Sequence, residues 1–252
     1  MMSMMFQTVS RAMASVRRIN EVLETEPAVK DGTVSLDNGT KGTKGTVTFR
    51  NVSFSYPDTK GRPVISGFDL DIRKGENIAI LGATGSGKTS LVNLIPRFYD
   101  CTEGEVLVDG VNVKDLNTHE LRDKIGIVLQ KSELFSGTAA DNIKWGDESA
   151  SADEVKAAAE IAQADEFISK MPDAYDSVIA EKGASLSGGQ KQRLSISRAV
   201  LKKPEIIIFD DSTSALDLGT EAKLQKQLHE SLAGTTFITI AQRIASVKNC
   251  DR

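Results

Sequence analysis

The spacing of apolar and polar positions divides the chain into three textures. Over residues 1–25, Met5, Val9, Met13, Val16, Ile19 and Leu23 recur at three- and four-residue steps and predict one amphipathic helix. Pro27 ends it, and a polar stretch containing the three-residue repeat Gly39-Thr-Lys-Gly-Thr-Lys-Gly-Thr46 predicts a flexible linker over 27–45. From Thr46 the pattern becomes β-rich. Val47–Tyr56 and Val64–Ile72 alternate on either side of Pro57-Asp58, and Glu105–Asp109 runs into Gly110. These predict antiparallel strands around the apolar run Asn77–Leu81. Ile125–Leu129, Glu205–Asp210 and Thr235–Ile240 are short apolar runs that predict buried strands. Helices are predicted over 90–95, 138–144, 151–163, 165–170, 187–202, 217–232 and, briefly, 242–247. Strands alternating with helices predict an α/β fold with a mainly parallel sheet and an N-terminal antiparallel β subdomain. The helix-only block from about 131 to 200 predicts an inserted helical subdomain.

Composition narrows the picture modestly. At 252 residues, 40% hydrophobic and 26% charged, the chain fits one large α/β domain, or one domain with an appendage. A net charge of −4 argues against non-specific nucleic-acid binding, so no nucleic-acid partner is expected. Cys101 and Cys250 form no metal or redox spacing, which fits a reducing cytosolic compartment. No apolar run reaches the 18 residues of a membrane span, and Met1–Phe6 lacks the basic start and cleavage site of a signal peptide. The first twenty residues carry Arg11, Arg17 and Arg18 and no acid. That leaves two readings of the first helix: packing on its own domain, or the cytoplasmic tail of a membrane helix with its arginines on the cytoplasmic side.

The chemistry begins at Gly82-Ala-Thr-Gly-Ser-Gly-Lys-Thr89, which fits G-x-x-x-x-G-K-[ST] between a predicted strand and a predicted helix. In that context the loop is a phosphate cradle. Gly82, Gly85 and Gly87 let successive N–H groups turn inward, and the helix N-terminus adds partial positive charge. Lys88 would reach the β- and γ-phosphates, and the Thr89 hydroxyl would ligate Mg²⁺. The candidate nucleotide-binding set is Gly82, Ala83, Thr84, Gly85, Ser86, Gly87, Lys88, Thr89 and Ser90. A second acid, Asp210, ends the apolar run 206–209, where ligands bind in open α/β sheets. It would complete the Mg²⁺ shell with Thr89; the plainer alternative is a cap on the following helix. Ser187, Gly188 and Gly189 open another predicted helix, and with Gln190 they converge donors on an anion site. The alternative there is again a helix cap alone.

Leu186-Ser-Gly-Gly-Gln190 resembles the signature sequence of ABC ATPases, and the order of motifs over about 46–252 is similar to that family. The resemblance implies several roles. Tyr56 stacks on adenine. Gln130 acts as the Q-loop glutamine, at the metal and the attacking water. Glu181-Lys-Gly183 forms the exporter X-loop, and Ser214-Ala-Leu-Asp217 the D-loop. Leu134-Phe-Ser-Gly-Thr138 with Asp141-Asn-Ile143 looks like the exporter type, in which an N-terminal helix joins a membrane domain to its ATPase domain. ATP and Mg²⁺ are the implied cofactors. A second ABC ATPase domain and a transmembrane domain are the implied partners, and the cytoplasmic face of the cell membrane is the implied location. Because the signature faces a nucleotide held by the second domain, Ser187–Gln190 belong to the partner's site. The family also continues past Asp251-Arg252 with a further strand pair and helix, so the domain is expected to extend beyond this chain.

Two positions depart from the pattern. After Asp210 the family carries glutamate to position or deprotonate water; this chain has Asp211, one methylene shorter. A carboxylate set back by ~1 Å can cost on the order of 10²-fold in rate. The switch position carries Gln242 in place of histidine, and glutamine can donate a hydrogen bond but cannot take a proton. The candidate catalytic set is therefore Lys88, Gln130, Asp211 and Gln242. Each change alone fits drift or an engineered substitution. Together they resemble the degenerate half of a heterodimeric ABC exporter, whose own site hydrolyses slowly or not at all. Two alternatives stand beside it: a nucleotide-gated dimerisation module with little hydrolysis, and a soluble ABC ATPase. Histidines His119 and His229 are expected on the surface.

Overall fold

A computed structural model describes residues 2–36, 44–57, 59, 62–242 and 247–252. The chain separates into two units, Met1–Lys30 and Asp31–Arg252. The first is a single helix, α1 (Met2–Leu23), followed by Pro27 at the boundary that proline imposes. As a lone helix α1 buries none of its own residues, and Met5, Val9, Met13 and Ile19 lie along it as an apolar stripe. Among the described residues no helix is long and apolar enough to cross a membrane.

In the second unit the strands are β1 (Val47–Phe54), β2 (Ile65–Ile72), β3 (Asn77–Leu81), β4 (Glu103–Val108), β5 (Val111–Asn112), β6 (Ile125–Val128), β7 (Gly137–Thr138), β8 (Val178–Ile179), β9 (Ile206–Asp210) and β10 (Thr236–Ala241). The helices are α2 (Lys88–Asn93), α3 (Thr118–Asp123), α4 (Ala139–Lys144), α5 (Ala152–Ile161), α6 (Asp165–Ile168), α7 (Gly188–Leu201) and α8 (Leu218–Ser231). Strands β2-β1-β4-β5 form an antiparallel sheet, and β3-β10-β9-β6 a parallel one. The expectation that antiparallel strands surround Asn77–Leu81 is corrected here. Strand β3 pairs with β10 from the far end of the chain, Phe237 opposite Asn77 through Ala241 opposite Leu81. The antiparallel sheet meets it through side chains, not backbone hydrogen bonds.

The parallel sheet is buried on both faces, which is why its strands read as continuous apolar runs. The two-residue period sorts them. Ile206 and Ile208 of β9 join one core with Phe49, Val106, Leu91 and Ile95, between the two sheets. Ile207 and Phe209 join the other with Ile143, Val155, Leu194 and Leu228, so the helices of the 131–200 block share a core with the sheet. That block is not helix-only: β7 and β8 pair antiparallel, Gly137 opposite Ile179. Strands of two residues are too short to leave a periodic signal.

Part of the expected 27–45 linker is docked. The Gly32 N–H donates to Leu116 O at 3.1 Å, the Val34 N–H to Asp115 O at 2.9 Å, and Leu36 is 2% exposed. A Cβ on Gly32 would lie 2.2 Å from the Asp115 carbonyl oxygen, so the segment approaches as closely as it does because that residue is glycine. The repeat at 39–43 and most of the short helix expected over 242–247 lie outside the described residues. Helix α3 was not expected, although Asn117 caps it by accepting from the His119 and Glu120 N–H groups.

Phe209 is 1% exposed and stacks on Phe237 with ring centroids 6.3 Å apart. Phe209→Ala is expected to lower unfolding free energy by about 3–5 kcal/mol, read from urea denaturation midpoints at unchanged slope.

Candidate functional site

Strand register brings the site together. In the parallel sheet Leu81 pairs with Ala241, and Ile240 with Asp210. The segments that follow these strands therefore leave from one edge: the glycine loop after β3, Asp211 after β9, Gln242 after β10 and, after β6, Gln130. There they line a cavity of about 380 Å³. Its phosphate-loop wall is Thr84 to Ser90, and the opposite wall carries Gln130, Asp210, Asp211 and Gln242. Tyr56 closes one side.

The loop is shaped by glycines for two different reasons. Gly85 and Gly87 have φ of 80° and 89°, the left-handed region that side chains resist. Gly82 does not; it is small because a Cβ there would stand 2.8 Å from Ser86 Oγ. Lys88 Nζ donates to the carbonyls of Gly82 and Ala83 at 2.8 Å each, which holds its charge over the mouth of the loop. A loop with an ammonium at its centre and open space around Gly85 fits a polyphosphate chain.

Across the cavity Thr89 Oγ1 donates to Asp210 Oδ1 at 3.0 Å. Asp210 is 4% exposed. Burial pushes its carboxyl pKa up and the neighbouring Asp211 charge adds to the rise, while the Thr89 hydrogen bond and Lys88 oppose it. A hydroxyl and a buried carboxylate are hard oxygen donors, and Mg²⁺ is held by one or two such groups together with phosphate oxygens. The residues present therefore fit that ion.

Asp211 leaves β9 with φ of 48°, a left-handed value that aspartate tolerates better than most residues. One oxygen, Oδ2, accepts from two amides: Gln242 Nε2 at 2.9 Å and Gln130 Nε2 at 3.1 Å. The three departing or motif-borne residues thus converge on a single carboxylate oxygen. Tyr56 donates to or accepts from Ser90 Oγ at 2.9 Å, and its ring meets Phe54 and Tyr99 edge-on at 4.8 and 5.2 Å.

Ser187–Gln190 sit elsewhere and do not line this cavity. Ser187 caps α7: its Oγ accepts the Gln190 N–H at 3.3 Å, and Gln190 Oε1 accepts the Ser187 N–H at 2.9 Å. Ser187 and Gly188 are exposed. Both histidines are exposed as expected, with His229 Nε2 in hydrogen-bond contact with Asn77 Nδ2 at 3.1 Å. Val64 and Ile240 also line the cavity and were not anticipated. Their positions depend on how the two sheets meet, which no local pattern reports.

A phosphate loop on a parallel sheet, facing a buried strand-end carboxylate, defines a P-loop nucleotide-binding domain. The family model described as "ABC transporter" matches residues 65–214, and the chain belongs to that family. It is 46% identical over 244 residues to the uncharacterized ABC transporter ATP-binding protein YfiB of Bacillus subtilis (strain 168), covering 96% of this chain and 41% of that protein. It is 41% identical over 245 residues to an ATP-dependent lipid A-core flippase of Syntrophus aciditrophicus (strain SB), covering 97% of this chain and 40% of that protein. Among solved structures, that of a bacterial Atm1-family ABC exporter with ATP bound superposes with a TM-score of 0.89 at 34% identity, over 98% of this chain and 43% of that one. The chain spans about two fifths of the length of these curated relatives.

Asp210 sets a testable trade. Its raised pKa means that it favours the folded state while protonated. That advantage is lost as pH rises through the folded-state pKa, and above it the buried carboxylate costs stability. Asp210→Asn is therefore expected to leave the nucleotide-free melting temperature unchanged or higher. In the native chain, MgATP at a hundred times its Kd should raise the midpoint by about 5–10 °C. That rise should be lost in the variant, as read by differential scanning fluorimetry with and without MgATP.

Proposed function

We propose that this chain is the ATP-binding domain of an ABC exporter and that its own site is a slow or non-hydrolysing one. The observation that carries the second part is the double amide contact on Asp211 Oδ2. Bound MgATP would supply the phosphoanhydride and the metal's Lewis acidity. Lys88 and the loop N–H groups would hold the β- and γ-phosphates, Thr89 and Asp210 the ion, and Tyr56 the base. A general base must reach its water before its pKa matters. Asp211 is a methylene shorter than glutamate, and one of its two oxygens already accepts two hydrogen bonds. Gln242 donates one of them and cannot exchange a proton. The same geometry that steadies the carboxylate takes up part of its capacity to accept a proton from water, and Gln242 adds no acceptor nitrogen to replace it.

The signature has a different expected use. Ser187–Gln190 are exposed or half-exposed and outside the chain's own cavity, which supports their completing a site on a second ATPase domain. A catalytically competent, different subunit is the partner this reading names. The nucleotide-gated dimerisation module is a second reading, favoured by the same observation: closure on ATP would be the main output. For the membrane partner, a groove of about 270 Å³ beside Gln130 is lined by Phe135, Trp145 and Arg198. Phe135 and Trp145 stack at 4.4 Å, and Trp145 is 60% exposed. Exposed aromatics in a groove favour protein contact, and a transmembrane domain is the expected occupant. The apolar stripe of α1, with three arginines and no acid among the chain's first twenty residues, favours its role as the connection to that domain, on the cytoplasmic face of the membrane.

ATP turnover by this chain alone should be very slow despite MgATP binding. Asp211→Glu combined with Gln242→His, assayed with the partner subunit, should raise turnover by on the order of 10²-fold. A brisk rate from the unaltered chain alone, measured by phosphate release, contradicts the slow-site reading.

A further inference from the structure

Gln192 is a polar residue that no motif role accounts for. It lies on α7 one turn past the Ser187 cap, is 5% exposed, and its Oε1 accepts the backbone N–H of Ala215 at 3.2 Å. Ala215 is itself exposed, in the turn between β9 and α8. The two elements also meet closely by backbone. A Cβ on Gly189 would stand 3.1 Å from Ala215 O, and one on Gly188 would stand 3.4 Å from Ala215 Cβ. At its other end the turn is tied to the nucleotide cavity. Ser214 Oγ donates to Asp211 O at 3.0 Å, and Thr213 Oγ1 donates to the buried Glu221 Oε1 at 2.7 Å. The path to the signature helix thus runs from the Asp211 backbone carbonyl through Ser214 and Ala215 to Gln192.

We propose that Gln192 is a positioning residue that locks the 213–216 turn to the N-terminus of α7, so that Ser187–Gly189 and Ser214–Ala215 are presented to a second ATPase domain as one rigid surface. A buried amide is costly to leave without a partner, and the exposed tip of the turn, Ser214–Ala215, lies between the buried Thr213 and Leu216. The amide oxygen of Gln192 fixes the turn's backbone at the residue that faces outward. Movement of either element is then shared by both. This rests on the reading that the exposed signature completes a second domain's site.

The test uses the 252-residue chain with Gln192→Met, which keeps the volume and removes the acceptor, and Gln192→Glu, which restores an acceptor oxygen. Three quantities are measured: amide hydrogen exchange over 212–217, the Kd for a fluorescent ATP analogue, and MgATP-dependent self-association by sedimentation. In Gln192→Met, exchange over 212–217 should quicken by about five- to tenfold, the change for one lost hydrogen bond. Nucleotide Kd should stay within twofold, and self-association should weaken by about as much as exchange quickens. Gln192→Glu should recover most of both effects. Unchanged exchange in Gln192→Met overturns the positioning role, as does quickened exchange with self-association unaltered. If the unaltered chain does not self-associate yet exchange quickens as expected, the positioning role stands and the dimerisation reading for identical copies falls.

Discussion

Everything in the second unit depends on the in-register ending of four parallel strands. Hydrogen bonds pair Leu81 with Ala241, Ile240 with Asp210, and Val128 with Phe209. A register slip of one residue would reverse every side chain between the two cores. Here Ile206 and Ile208 would trade places with Ile207 and Phe209, and a buried phenylalanine stacked on Phe237 would lose its partner. Core packing therefore fixes the register. The register in turn fixes which backbone segments meet beyond the strand ends. The glycine loop, Asp211, Gln242 and Gln130 come from points as much as 160 residues apart in sequence, and no local interaction would assemble them.

The edge thus built carries stored cost. Asp210 is a nearly buried carboxylate, and Asp211 beside it adapts to a left-handed backbone. Two acids in sequence, one pushed towards protonation by burial, make the site less stable without a cation than with one. Lys88 offsets part of this, but its ammonium is spent on the Gly82 and Ala83 carbonyls. Thr89 and Asp210 would hold a cation there, and its charge would relieve the buried carboxylate. Binding energy and folding energy are linked at this edge.

What could be read in the sequence followed from how each element is stabilised. Strands buried on both faces, such as 206–210 and 236–241, announce themselves as apolar runs. The glycine loop announces itself because its backbone demands glycine at φ near 80–90° and at one close approach. The sheet assignment of β3 was not legible, because its neighbour β10 lies more than 150 residues away and hydrogen-bond pairing leaves no local mark. Docking of 31–36 escaped notice because its one deeply buried side chain, Leu36, has no periodic companions. At the candidate site, identities were legible but contacts were not. Asp211 and Gln242 stood out as departures from a pattern; that both glutamines would share one oxygen of Asp211 required coordinates. Gln192 gave no signal because a buried glutamine in a helix has no sequence mark that separates it from a surface one.

The two amides on Asp211 bear on what a slow site can still do. A histidine at 242 could change charge as a proton moves, and its hydrogen bond would strengthen or weaken with the chemistry. An amide holds the same hydrogen bond whatever the protonation state of its surroundings. Neither Gln130 nor Gln242 changes charge in the pH range in which a histidine would switch. Asp211 is also tied through Ser214 to the turn that packs on the signature helix. On the proposed reading, the two amides on Asp211 would carry little of a proton transfer to that helix. What the site could transmit is the presence or absence of a nucleotide in the loop, because Lys88 and Thr89 now bond groups that phosphate oxygens and a cation would compete for. On the slow-site reading proposed above, such a site would report occupancy and leave the timing of the cycle to a second domain.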